Sequence, residues 1–197
     1  MIPRHLTIGV AVMLVISLGA GFYAWRMHKN ANTPAAAGKQ PLPPPAAGPT
    51  EQATLYVADD SSGTLRAMPI RISLPAGRQE RAEELLRSLL DVYLSKASPH
   101  VLGAGSEIRG VYLVDPGLVV IDLNAAFANT HRSGVLTEEL TIASLVGSLR
   151  ANIPGITQVR ILVDGKERET LAGHADLTQA YDLSAMNQLI SDMTPQQ

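Results

Sequence analysis

Glu107-Ile-Arg-Gly-Val-Tyr-Leu-Val-Asp-Pro-Gly-Leu-Val-Val-Ile-Asp-Leu-Asn-Ala-Ala-Phe127 is the stretch whose reading decides the fold. Two runs rich in β-branched and aromatic residues flank Asp115-Pro116-Gly117, where proline presets φ for a turn and glycine tolerates a positive φ. The stretch predicts a β-hairpin. Val111 and Leu113 alternate with Tyr112 and Val114, and Val119, Ile121 and Leu123 repeat the period on the return, so one face buries a continuous apolar row. The opposite face is apolar in part, which points to central strands and leaves cover on both sides open.

Upstream, Thr54-Leu-Tyr-Val reads as a strand, Asp59-Asp-Ser-Ser-Gly63 as a turn, and Leu65 to Leu74 as its partner, with Ile70, Ile72 and Leu74 at period 2. Pro69 places that partner at a sheet edge or starts it late. From Arg78 to Leu94 the period lengthens: Ala82, Leu85, Leu86, Leu89, Leu90, Tyr93 and Leu94 fall on one face of a helix, with Arg81, Glu83, Glu84 and Arg87 on the other. Downstream, the polar loop Asn129-Thr-His-Arg-Ser-Gly134 precedes a second, more apolar helix from about Leu136 to Arg150. Thr137 is its expected N-cap, and Glu138 and Glu139 suit the positive end of its dipole. Gly147 within it predicts a close backbone approach. Gln158 to Lys166 gives a strand ending in the hairpin signal Asp164-Gly165, with a short return through Leu171. The resulting fold class is α+β, a mainly antiparallel sheet with two helices packed on one face.

The rest of the chain has a different composition. After a flank at residues 1–5, residues 6–25 form an uncharged, predominantly apolar run of bilayer-spanning length, with Phe22, Tyr23 and Trp25 at an interfacial position and Arg26, His28 and Lys29 beyond. A transmembrane anchor is the reading favoured over a signal peptide cleaved after Gly21, because the run is long and aromatics follow it. Residues 26–52, with Pro41-Leu-Pro-Pro-Pro45 at their centre, form a Pro/Ala-rich linker whose prolines favour semi-rigid polyproline II over a proline-recognition ligand. The folded domain is expected at residues 53–182 and a C-terminal tail at 183–197, where Leu183, Met186, Leu189, Ile190 and Met193 recur at helical spacing. The chain has no cysteine, which excludes disulfides, thiol nucleophiles and a lipoprotein's acylated cysteine. Its net charge is −2, and Arg4, Arg26, Lys29 and Lys39 all precede residue 50 with no acid among them. The folded part therefore has a net negative balance and no basic excess to offer nucleic acid.

Side chains that could carry chemistry are sparse. Asp122, His131 and Ser133 cluster near the hairpin exit, but the serine lacks a nucleophile elbow, and a polar capping loop is the favoured reading. His100, His131 and His174 stand apart in sequence, without the paired spacing of a zinc site, and no cofactor is expected. Asp122 and Asn124, either side of Leu123, suit side-chain bonds to loop amides.

In order along the chain, Leu55-Tyr-Val57, Ala82-Glu-Glu-Leu-Leu-Arg-Ser-Leu-Leu90, Val111 to Phe127, Glu138 to Leu149 and Val159-Arg-Ile-Leu-Val-Asp-Gly165 resemble the GerMN domain of sporulation and spore germination proteins. The similarity covers about Thr54 to Asp182. The resemblance implies an extracytoplasmic domain, without established catalytic residues, whose fold is similar to ring-building motifs of secretion and sporulation channels. It also implies the orientation that charge leaves undecided, a single-pass cell-membrane protein with its C-terminal domain outside the cytoplasm. Family members often carry two copies and a lipobox cysteine. This chain has one copy and no cysteine, so a general envelope role in wall or division assembly stands beside sporulation and germination. The expected partners are the membrane, an envelope protein or a second copy, with wall glycan as another ligand class and Arg78, Arg81, Glu84 and Arg87 as the partner surface. The competing function is an envelope hydrolase acting on wall or small ester substrates through His131 and Ser133.

Overall fold

The computed structural model describes residues 49–114 and 116–195. The expected flank, the anchor, the linker up to residue 48, Asp115 and the last two residues lie outside the described residues. Among those described, no helix is long and apolar enough to cross a membrane.

Strands β1 (Thr50–Asp59) and β2 (Thr64–Ser73) pair antiparallel as a two-stranded sheet, followed by helix α1 (Arg78–Leu94). Strands β3 (Ile108–Val114) and β4 (Leu118–Leu123) form the hairpin read from the sequence. Gly117 in its turn takes φ +124°, and a Cβ there would lie 2.6 Å from the Gly155 carbonyl oxygen, so the position excludes a side chain. A short helix α2 (Ala125–Asn129) and the long α3 (Val135–Asn152) lead to β5 (Gln158–Val163), a two-residue β6 (Tyr181–Asp182) and α4 (Leu183–Met193).

The second sheet has the order β3-β4-β5-β6. Its β4–β5 pair is parallel, because α2 and α3 supply the crossover that parallel strands require. Asp164 and Gly165 take φ +52° and +70°, the signature of a type I′ turn. The expected return through Leu171 shrinks to one bridge, Val163 with Lys166, since Leu171 turns into the core instead.

One face of this sheet is covered. Val111, Val119, Ile121, Leu123, Val159 and Ile161 join the buried side chains of α1 and α3 in a single core. The other face carries Tyr112, Val120 and Arg160 in register. Tyr112 and Val114 are about half exposed there, at 48% and 46%. Leu183, Met186, Ile190 and Met193 of α4 pack into the same core, and Asp182 caps that helix through Ser184 N–H at 2.8 Å.

Candidate functional site

Polar side chains are concentrated along α3 and around its N-terminus. Thr141, Ser144, Ser148 and Asn152, spaced three or four residues apart, form one stripe, and it faces the edge of β1 that β2 leaves unpaired. Asn152 receives Thr54 N–H on Oδ1 at 3.0 Å and donates from Nδ2 to Thr54 O at 2.7 Å, as a neighbouring strand would. Ser148 Oγ accepts from Tyr56 N–H at 2.9 Å, and Ser144 Oγ donates to Tyr56 O at 2.6 Å. Tyr93 of α1 continues the series, accepting from Ala58 N–H at 2.8 Å and bonding Ser144 Oγ. Burial pushes the Tyr93 hydroxyl up to about 12, so it stays a neutral donor. The edge that would otherwise be open to another chain is thus closed by side chains of α3 and α1. The packing is close enough that a Cβ on Gly147 would lie 3.1 Å from Tyr56 Cγ, the approach that glycine predicted.

At the N-terminal half of α3 the stripe meets two imidazoles. Thr141 Oγ1 lies 2.7 Å from Nε2 of both His100 and His131, and 3.0 Å from the Thr137 carbonyl oxygen. His100 Nδ1 is 2.6 Å from Asp60 Oδ1, and His131 Nδ1 is 2.9 Å from the Arg132 carbonyl oxygen. Carboxylate, imidazole and hydroxyl in this order are the parts of a nucleophile relay. Here, however, Thr141 sits within a helix with no exposed surface and all three hydroxyl positions filled. The relay joins segments of the fold and leaves no room beside Oγ1 for a reacting atom.

Glu138 organises the adjoining loop. Its carboxylate accepts from the backbone N–H of Ala172, His174 and Ala175 at 2.9 to 3.0 Å and of Gly134 at 3.1 Å, and from His174 Nδ1 at 2.9 Å. Burial pushes the carboxyl up, but the bonds from Ala175, His174 and Ala172 outweigh it and hold it down at about 2. The N-cap of α3 is consequently Gly134 and not Thr137, because Glu138 reaches back to the first free amide and Thr137 lies inside the helix.

The proposed hydrolytic residues are not assembled. Asp122 accepts from Gly165 N–H at 2.7 Å. His131 turns inward to Thr141, whereas Ser133 Oγ lies 3.4 Å from His174 Nδ1, the nitrogen already engaged by Glu138. A serine and a carboxylate on one nitrogen cannot divide the roles of nucleophile and orienting acid. Asn124 accepts from Phe127 N–H at 2.8 Å and Glu107 N–H at 3.1 Å, the loop-holding role its position suggested.

The proposed partner residues spread over α1. Arg78 donates to Pro154 O at 2.7 Å, and Arg81 pairs with Glu51 of β1, which holds the Glu51 carboxyl below its ordinary range. Both arginines therefore tie α1 to neighbouring segments. Glu84 and Arg87 pair with each other at 2.6 Å, and Arg87 is half exposed. Arg87 also lines a groove of about 250 Å³ with Glu83, Leu90, Glu107, Ile108, Arg109 and Gly110, between α1 and the start of β3. Arg109 stands at a register shift in β3 and bonds Asp164 at 3.0 Å. Sequence reasoning did not join Arg109 and Glu107 to the α1 stripe, because only the hairpin's packing brings them beside it.

The family model "Germane: Sporulation and spore germination" matches residues 54–169. Among solved structures, the tandem GerMN domains of the sporulation protein GerM from Bacillus subtilis match with TM-score 0.52 at 17% identity, over 70% of this chain and 48% of that one. This chain thus spans about half the length of the tandem protein, and the likeness is one of fold. The first GerMN domain of the same protein gives TM-score 0.44 at 17% identity, over 66% of this chain and 95% of that one. A candidate lipoprotein from Clostridium perfringens gives 0.47 at 17% identity, over 71% and 91% of the two chains. No curated protein matches.

Proposed function

We propose that this chain, which belongs to the sporulation and spore germination family through residues 54–169, is a non-catalytic interaction module of the bacterial envelope. In this reading residues 6–25 anchor it in the membrane, residues 26–49 space it from the bilayer, since the expected linker's last three residues belong to β1, and the domain works outside the cytoplasm. Its partner is an envelope protein or a second copy, in sporulation and germination or in wall and division assembly. The observation that carries the reading is how the polar side chains are used: Glu138, Thr141, Ser144, Ser148 and Asn152 are bound to backbone groups or to the side chains of His100, His131, His174 and Tyr93. Chemistry-bearing groups so engaged support a scaffold that presents a surface.

For that surface we take Glu84 and Arg87 with the groove reaching Glu107 and Arg109, and assign Arg78 and Arg81 a share in positioning α1 behind it. Intermixed charges orient an encounter without creating an apolar patch, and confinement to a membrane raises the effective concentration of weakly associating copies. The topology is tested by fusing a periplasm-active phosphatase after Gln197 in a bacterial host. An active fusion is expected, and an inactive fusion with intact protein would reverse the orientation and remove the envelope reading.

A further inference from the structure

The bonds around Thr141 impose a proton count. The Arg132 carbonyl can only accept, so His131 Nδ1 carries a hydrogen; the Asp60 carboxylate can only accept, so His100 Nδ1 carries one as well. If both rings were neutral, both Nε2 atoms would be acceptors. Both lie 2.7 Å from Thr141 Oγ1, which has a single hydrogen and can satisfy one of them. The other ring must then donate from Nε2 and hold two protons. Moving the hydroxyl hydrogen to Thr137 O would require both rings to be cations. At least one proton beyond two neutral imidazoles and a carboxylate is therefore built into the bonded set. Moving it from His100 onto the Asp60 carboxyl does not change the total.

We propose that Asp60, His100, Thr141 and His131 form a proton-dependent latch that fastens the tip of the β1–β2 hairpin and the loop carrying His131 to helix α3, with the extra proton on the His100–Asp60 pair. The groups facing it place the charge there. Asp60 lies against His100, with Arg132 on its other oxygen at 3.7 Å. Tyr93 of α1 approaches His100 edge-on with ring centroids 5.0 Å apart, and Phe127 of α2 stacks on His131 at 6.2 Å. Glu138 is committed to the amides of the 172–175 loop. Burial and then the neighbouring His100 lower the pKa of His131, which outweighs the opposing pull of the Arg132 carbonyl, Glu138 and Asp60 and keeps His131 neutral.

The direction of the effect follows. Above pH ~6.5 unfolded imidazoles are neutral whereas the folded set keeps one proton, so its contribution is lost as pH rises from there; below that pH the unfolded chain also protonates His131, which the folded chain holds neutral, so the set stabilises most near pH ~6.5. Once the proton leaves, one ring nitrogen faces Thr141 Oγ1 with no hydrogen between them, and the tie between hairpin tip and α3 loosens. An extracytoplasmic domain meets changes in external pH directly, which gives such a latch something to respond to.

The test is ¹⁵N NMR of the histidine rings in the full chain in detergent micelles, together with unfolding of the wild type and His100→Gln between pH 6 and 9. At pH 6 His100 should show two protonated ring nitrogens, and His131 one protonated and one accepting nitrogen. Two neutral rings at pH 6 would overturn the latch without recourse to any variant. From pH 7.5 to 9, above the range in which unfolded imidazoles titrate, the wild-type folding constant should fall about tenfold, the scale of one charge-assisted hydrogen bond, and that of His100→Gln should stay level. Equal pH dependence in the two proteins would also overturn it.

Discussion

Helix α1 leaves Glu84 and Arg87 on the surface, where they pair with each other at 2.6 Å, whereas α3 turns Thr141, Ser144, Ser148 and Asn152 onto β1 and the loops beside it. Both helices pack on the same sheet face and share one core. The difference lies in what a polar group replaces. On α1 it replaces nothing, since water would serve Arg87 equally well, and an exposed pair of this kind contributes little to stability. On α3 it stands where a further strand would be, satisfying peptide groups of β1 that would otherwise be buried without partners. Polar residues on α3 should therefore be costly to remove, and those on the outer part of α1 should matter only to partners.

Glu138→Ala should produce the largest effect, because it strips the acceptor from Ala172, His174, Ala175 and Gly134 amides at once. A loss of at least about 3 kcal/mol in urea unfolding is expected. A loss near zero would show that the α3 carboxylate, like the α1 pair, is dispensable for folding. The same carboxylate predicts acid sensitivity. Its pKa is depressed from 4.5 to about 2, so the stability it contributes is complete above about 4.5 and is lost as pH falls towards 2. Unfolding monitored from pH 6 to 2 should show that loss in the wild type and much less of it in Glu138→Gln.

Asn152→Ala should cost about 1–2 kcal/mol, since it leaves both the backbone N–H and the backbone carbonyl of Thr54 without their partner. Hydrogen exchange should rise at Thr54 N–H in that variant and not at residues of β4. Arg81→Glu sets a like charge against Glu51 and should lower the unfolding midpoint by less than Asn152→Ala does. An intermediate loss is expected because Arg81, on the outer side of α1, reaches back to Glu51 of β1.

Much of this contrast could be read from the chain. The 78–94 helix, the Val111–Leu123 hairpin and the Asp164-Gly165 turn were legible because in each the polar positions face water or a turn, so hydropathy and periodicity carry the same message. Helix α3 was legible as the better-buried helix, but its stripe was not. A buried serine that bonds a strand edge has the same sequence signature as a solvated one, and only the spacing Thr141, Ser144, Ser148, Asn152 on an otherwise apolar helix hinted at a common partner. The parallel β4–β5 pairing was hidden for a similar reason, since local patterns do not report which distant strand lies alongside. Of the proposed surface, Arg87 is exposed as its pattern implied and Glu84 is partly buried beside it, while Arg78 and Arg81 reach Pro154 and Glu51 through contacts across the fold.

In the proposed function the outer part of α1 serves a partner and contributes nothing essential to folding. Cross-linking of the full chain in its native membrane, wild type against Arg87→Glu, tests it most directly when the unfolding midpoint is measured on the same two proteins. We predict that Arg87→Glu loses the cross-linked species while its midpoint stays that of the wild type. Cross-linking that persists in the variant, or disappears only together with its stability, would contradict the claim.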